Sequence, residues 1–271
     1  EMGSEDSHAR ALWGLGVAVN NAPNQAIRDM ATRLFGDAIT VVESFTSPRA
    51  WSFAILGMYQ YLETFGGDAR VRKIQEILAD KLYTLYKENF KSDWPWFEEK
   101  LTYANATLSH GLIIAGQRTS RLDMFDTGIS SLEWLIEKQI SPEGHISVIG
   151  NQNWYKKNGE RSIFDQQPIE IMNLIIACAT AFMFTGDEKW IDKARKCFSW
   201  FLGQNDLGDQ IYNYQTGGCR DGLQSQGTNA NEGAESTLAW LISLITMYRL
   251  FEEQVLARES SKEDEHTISL K

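Results

Sequence analysis

In five places this chain runs for three helical turns or more without a charged side chain: 11–27, 50–62, 101–117, 171–186 and 236–248. A segment that is apolar around most of its circumference, as 169–184 is, has to be buried on most sides. The segments between differ. Arg70 to Tyr86 sets Val71, Ile74, Leu78, Leu82 and Leu85 on one stripe, with Arg72, Lys73, Glu76, Asp80 and Lys81 elsewhere. Asp187 to Phe201 does the same with Trp190, Ala194, Cys197, Phe198 and Phe201. Those spacings mark amphipathic surface helices, and 24–44 and 121–138 follow them less cleanly. The chain therefore reads as a repeat of hairpins, each a buried helix followed by a surface helix: 5–20 with 24–44, 47–65 with 68–90, 103–117 with 121–139, 165–184 with 187–204, and a ninth helix over 233–252. No region shows sustained period-two alternation. The expected fold class is all-α, an α/α toroid or barrel of helical hairpins in one domain over 1–252. Residues 253–271 read as a charged tail or helix extension.

The connections are unequal. Turns from a buried helix to its surface partner are short, as at Gly66-Gly67-Asp68 and Gly186-Asp187, where glycine is expected to end one helix and Asp to cap the next. Connections back to the next buried helix are long, over 91–102, 140–164 and 205–232. Loops beyond about 12–15 residues are usually functional or disordered. These three are rich in Trp, Asn, Gly and acids, and they fall on the side where the buried helices begin. Helix starts present unpaired N–H groups, which suit polar or anionic ligands. A cleft is expected there.

Composition narrows the ligand. A net charge of −10 disfavours nucleic acid, whose phosphates an acidic surface repels. The N-terminal residues Glu1 to Asp6 carry no basic n-region, and no uncharged apolar run reaches the roughly 18 residues of a membrane helix. No membrane contact and a cytoplasmic location are therefore expected. Cys178, Cys197 and Cys219 are far apart with no CxxC, which fits reduced thiols and no zinc site. Nine Trp and nine Tyr exceed what a helical core requires and fit stacking on sugar rings.

Three loops hold the candidate chemistry. The first, Trp94 to Asn105, places Trp94 and Trp96 around a proline with Glu98 following, then Tyr103 and Asn105. It reads as an aromatic platform beside a carboxylate, or as a tryptophan plug with Glu98 capping a helix. The second carries His145, Asn151, Asn153 and Trp154, and closes with Asp165, Gln166, Gln167 and Glu170 around Pro168. Asp165 is a good N-cap, but four polar groups on one helical turn exceed what capping needs. The third carries Asp221, then Asn231, Glu232 and Glu235. Glu232 and Glu235 would share a face once the helix has begun, and mutual repulsion would raise one pKa and make a general acid. Glu5 and Asp6 open the first helix in the same way. His8 and His110 read as hydrogen-bonded wall residues.

Acid–base chemistry on a glycosidic bond needs two carboxylates across a cleft. The inventory fits that need, with Glu98 and Asp165 as the expected catalytic pair. Asp6, Glu170, Asp221, Glu232 and Glu235, the Asn and Gln side chains, Tyr103, His145 and the three tryptophans would bind substrate. No metal or cofactor is expected, since no phosphate loop, nucleophile elbow or HExxH motif is present. An isoprenoid-binding toroid would carry a zinc site or a DDxxD-type motif, and the sequence has neither.

The segments WPWFEEKLTYANATLSHGLIIAG, SPEGHISVIGNQNWY, FDQQPIEIMNLIIA, FLGQNDLG, GGCRDGL and NEGAESTLAWL resemble a bacterial family. It is the glycosyltransferase-associated, or glycosyltransferase-like, helical domain of the six-hairpin glycosidase superfamily. The similarity covers nearly all of 4–251. It implies an α/α barrel and carbohydrate metabolism, with a mono- or oligosaccharide ligand and a glycosyltransferase as partner or fused domain. A full ring has six hairpins and this chain carries about four to five, so a shortened or open ring is expected. The paired histidines of related sugar epimerases have no counterpart in the contexts of His8, His110 and His145. Two readings result: a glycoside hydrolase-like or phosphorylase-like enzyme, or a non-catalytic glycan-binding domain serving a glycosyltransferase.

Overall fold

The structure is a computed structural model describing residues 3–269, with side chains up to Glu252 and that of Gln254. These residues form two compact units. The first runs to Lys138 and includes Trp154–Glu160; the second comprises Gln139–Asn153 and everything from Arg161.

In the first unit the expected hairpins form: α1 (Glu5–Asn21) with α2 (Gln25–Ala38, continued by a 3-10 turn over Ile39–Ser44), α3 (Pro48–Thr64) with α4 (Ala69–Asn89), and α5 (Asn105–Thr119) with α6 (Leu122–Glu137). α1, α3 and α5 pack side by side in that order, and each carries its partner. The starts of α1 to α4 are set by side-chain caps: Ser4 accepts from the Ser7 amide, Asn24 from Ile27, Ser47 from Ala50 and Asp68 from Val71. Burial follows the charge pattern in part: α1, expected to be buried on most sides, buries only Ala9, Leu12, Gly16 and Val19. α5 is buried at every residue from Asn105 to Gly116, whereas α2 buries only Ala31 and Phe35.

The α1–α3 seam is closed by glycine. A Cβ on Gly16 would collide with the Gly57 carbonyl, and one on Gly57 would lie 2.8 Å from the Leu12 oxygen. Ser109 and Ser131 hydroxyls hydrogen-bond at 2.8 Å where α5 meets α6. Two short strands, β1 (Lys100–Leu101) and β2 (Tyr155–Lys156), pair antiparallel, with Lys100 opposite Lys156.

In the second unit α7 (Pro168–Thr185) packs against both α8 (Lys189–Ser199, extended by a 3-10 turn to Leu202) and α9 (Ala234–Ser269). A hairpin of β3 (Leu223–Gln224) and β4 (Gly227–Thr228) precedes α9. Gly186, at φ 68°, ends α7 as expected, and Asp187 accepts from the Lys189 amide. α3 ends differently, at Phe65 with no left-handed glycine. α7 starts later than the sequence suggested, because Pro168 takes its first position and Gln167 its N-cap. α7, which includes Glu170, is long and apolar enough to cross a membrane by length and composition, but two thirds of it is buried, as in a core helix. α9 covers only part of its surface and leaves Leu238, Leu241, Ile245 and Tyr248 exposed. Its backbone extends to Ser269, in keeping with a helix extension, while the tail's side chains beyond Gln254 lie outside the described residues. The three cysteines are free and buried.

Candidate functional site

In the first unit the starts of α1, α3 and α5 bring one polar cluster together around Arg49. A cation in the first turn of a helix stands where the dipole favours anions, so it has to be held by acceptors. Its guanidinium donates to both oxygens of Glu98, at 3.2 and 2.9 Å, to the Tyr103 carbonyl at 2.5 Å and to the Thr102 hydroxyl at 2.6 Å. It also lies 4.7 Å over the Tyr103 ring. Arg49 is 4% exposed and Glu98 23%, so the carboxylate reaches solvent while the cation does not.

The Tyr103 hydroxyl donates to Asp6, whose other oxygen accepts from Ser47 at 2.7 Å. Burial, then the bond to Asp6, pushes the Tyr103 phenol up to about 12, so it keeps its proton and acts as a hydrogen-bond donor at any ordinary pH. Glu5 accepts from the Ser47 and Thr46 amides at 2.7 and 2.8 Å, which holds its carboxyl below the ordinary value and ties α1 to the start of α3. The arrangement offers two carboxylates, a fixed cation and a phenolic donor within one connected network.

The loop expectations fare unevenly. Trp94 and Trp96 are 3% and 0% exposed. Trp94 meets Trp134 and Tyr155 edge to face, and Trp96 stacks on Trp134. The pair is a core plug rather than an open stacking platform. Trp94 still serves the site, because its indole N–H donates to the Glu98 carbonyl at 2.7 Å. Glu98 caps no helix; it is spent on Arg49. Asn105 is buried and exchanges hydrogen bonds with the Thr102 backbone, so it shapes the loop and does not face a ligand. Trp154 is half-buried on a left-handed backbone at φ 60°. His8 donates to the Ala38 carbonyl at 2.7 Å, and burial drives the His110 pKa down to about 3.

In the second unit most polar candidates are absorbed by the loops. Gln166, fully buried, donates to Asp206 at 2.5 Å and to the Ile163 carbonyl at 2.8 Å, and accepts from the Trp200 indole at 2.8 Å. Its backbone pairs with Leu223. That saturates it, so it is not a hydroxyl-binding group. Asp165 is not the N-cap; it sits at φ 59°, its carbonyl accepts from the Asn151 amide, and its half-buried carboxylate makes no hydrogen bond among the described residues. Gln167 is half-buried without a capping bond, Glu170 is buried in the first turn, and Asn151 and Asn153 are exposed.

Asp221 accepts from the Gly233 amide at 2.7 Å and from Asn231. Burial raises its pKa, but the bonds from Asn231, Ser236 and Gly233 outweigh that and hold it below the ordinary value. Glu232 precedes α9, accepts from Thr216 and Asn213 at 2.6 Å each, and has a lowered pKa. The expected raised pKa is thus reversed, because donors and not a second carboxylate surround it. Glu235 is exposed at the start of α9. His145 faces Asp206 at 3.4 Å and the Ser141 hydroxyl at 3.1 Å, on a groove of about 580 Å³ whose lining also includes Arg195 and Lys196.

Sequence reasoning missed Arg49, the hub of the first cluster, and Asp206 in the second. For Arg49 a signal existed: a lone cation directly after a Ser-Pro helix start, at the end where a cation needs a carboxylate partner.

No protein-family model matches the chain, and no curated protein matches it in sequence. Solved structures do resemble it. D-mannose isomerase aligns over 94% of this chain and 73% of its own, with TM-score 0.64 and 14% identity. A glycoside hydrolase family 76 mannosidase from Bacteroides thetaiotaomicron VPI-5482 aligns over 95% and 74%, with TM-score 0.57 and 8% identity. An unsaturated glucuronyl hydrolase specific for heparin aligns over 73% of this chain, TM-score 0.53 and 13% identity, and the chain spans 55% of that enzyme's length. The likeness fixes the fold class as all-α helical hairpins of the α/α-toroid type.

Proposed function

We propose that this is a carbohydrate-active protein that cleaves glycosidic bonds by carboxylate chemistry, with Glu98 as the catalytic carboxylate of the first unit and Asp6 its companion. The observation that carries the reading is the cluster itself: the starts of α1, α3 and α5 converge on Arg49, which fixes Glu98, while Tyr103 fixes Asp6. A sugar fits such a site, since it offers hydroxyls to an array of oriented donors and acceptors and a leaving oxygen to a carboxylate. The three structural neighbours, each named for work on a saccharide, support it. Asp165, strained and unengaged, remains the candidate of the second unit. A cytoplasmic location and a glycosyltransferase as partner or fused domain belong to the same proposal.

The test is release of reducing sugar from a panel of oligosaccharides by wild type, Glu98→Gln, Asp6→Asn and Asp165→Asn, with ketose formation from mannose as a separate readout. Loss of a positioned acid or base costs about 10²–10⁴ in rate, so Glu98→Gln falls by that factor while keeping its circular dichroism. Equal activity in wild type and every variant removes these residues from the chemistry. Saturable binding by calorimetry without any product replaces the enzyme with a glycan-binding module.

A further inference from the structure

The β1–β2 pair sets Lys100 directly opposite Lys156. Side chains of directly opposed residues in an antiparallel pair stand on the same face, and like charges there are destabilising. Both lysines are exposed, and neither side chain makes a hydrogen bond or ion pair among the described residues. They line a groove of about 490 Å³ with Lys157, Asn158, Glu99 and Glu98, the catalytic candidate. Within that lining Glu98 is taken by Arg49 and Lys157 by Asp93, at 2.7 Å. Two ammonium groups thus face one free carboxylate, that of Glu99, in a chain whose net charge is −10. A repulsive pair held beside an active carboxylate has a physical purpose if an anion completes it.

We propose that this groove is a subsite for the anionic group of an acidic saccharide, a carboxylate or a sulfate, seated between Lys100 and Lys156 with the sugar chain leading to Glu98. The inference rests on the carbohydrate reading above and adds the charge of the substrate. A neutral sugar would leave the lysines unneutralised. A free inorganic anion would satisfy them but has no use for Glu98.

The experiment uses the full chain and calorimetry with tetrasaccharides of galacturonic, mannuronic and glucuronic acid type. Each is set beside its methyl ester, which is the same sugar without the charge. A sulfated galactose tetrasaccharide and inorganic sulfate are run in parallel. At least one acid or sulfated sugar is expected to bind tenfold or more tighter than its neutral counterpart, with the ratio falling as salt rises. Lys100→Gln/Lys156→Gln collapses that ratio towards one without lowering the melting temperature, because it removes a repulsion and not a support. If neutral sugars bind and no charged form outbinds its counterpart, the subsite is refuted and the carbohydrate reading stands. If inorganic sulfate binds as tightly as the charged sugars, the site is a simple anion site and the proposal falls. Binding of none of the sugars overturns both readings.

Discussion

The two units use the same raw material, acidic and amide side chains at the starts of apolar helices, to different ends. In the first, three helix starts pool their polar groups on one buried cation, and Glu98 is left reaching solvent at the edge of that network. In the second, each group is consumed near where it stands: Asp221 and Asn231 shape the entry to α9, Glu232 is tethered by Asn213 and Thr216, and Gln166 joins Asp206 to Trp200. A carboxylate at a helix start is therefore no sign of chemistry by itself. What distinguishes the first unit is a cation on the wrong end of a helix, which organises groups from distant parts of the chain.

Removing each hub measures that contrast. Arg49→Met has the largest expected effect: the Tyr103 carbonyl and Thr102 hydroxyl lose their donor and the partly exposed Glu98 its counter-ion, costing about 3–4 kcal/mol by denaturant unfolding. If it costs less than 1 kcal/mol, the cluster is decoration. Gln166→Leu comes next, at about 2–3 kcal/mol, because the Trp200 indole and the Ile163 carbonyl lose their partners. If the proposed glycosidic activity is present, it should survive that change per folded molecule and not the loss of Arg49; the reverse would move the site to the second unit. Asp221→Asn is the smallest, about 1 kcal/mol as for other helix caps. Its sign with pH is fixed. The folded carboxyl has a lowered pKa, so its contribution is present above the unfolded value near 4 and disappears as pH falls through the folded one. The variant should therefore be less stable at pH 7, and the difference should shrink steadily as pH falls below the unfolded value. A difference that persists in acid would rule out the charge as the cause.

The helices were legible because their information is local. The α1–α6 boundaries fall close to those read from hydropathy, and freedom from charge marks the well-buried α3, α5 and α7, but it overstates the burial of α1 and of 236–248 in α9, which are covered on one side only. The loops were less legible because their side chains answer to partners far away in sequence: Arg49 to Glu98 and Tyr103, Gln166 to Trp200 and Asp206. Trp94 and Trp96 read equally as a sugar platform or a buried plug from sequence, and the placement of Trp134 against them decides for the plug. Asp165 suits a cap by type and place, but its left-handed backbone leaves the N-cap of α7 to Gln167.

The glycine seam between α1 and α3 has a consequence for the site at its upper end. Gly16 touches Gly57, and Asp6 touches Ser47, each ten residues upstream on its own helix. Two anchor points about 15 Å apart fix both spacing and tilt, so the pair of helices behaves as a bolted bracket. A methyl group wedged in at the lower bolt would pry Asp6 off Ser47 at the upper one, silencing chemistry from a position no substrate ever meets.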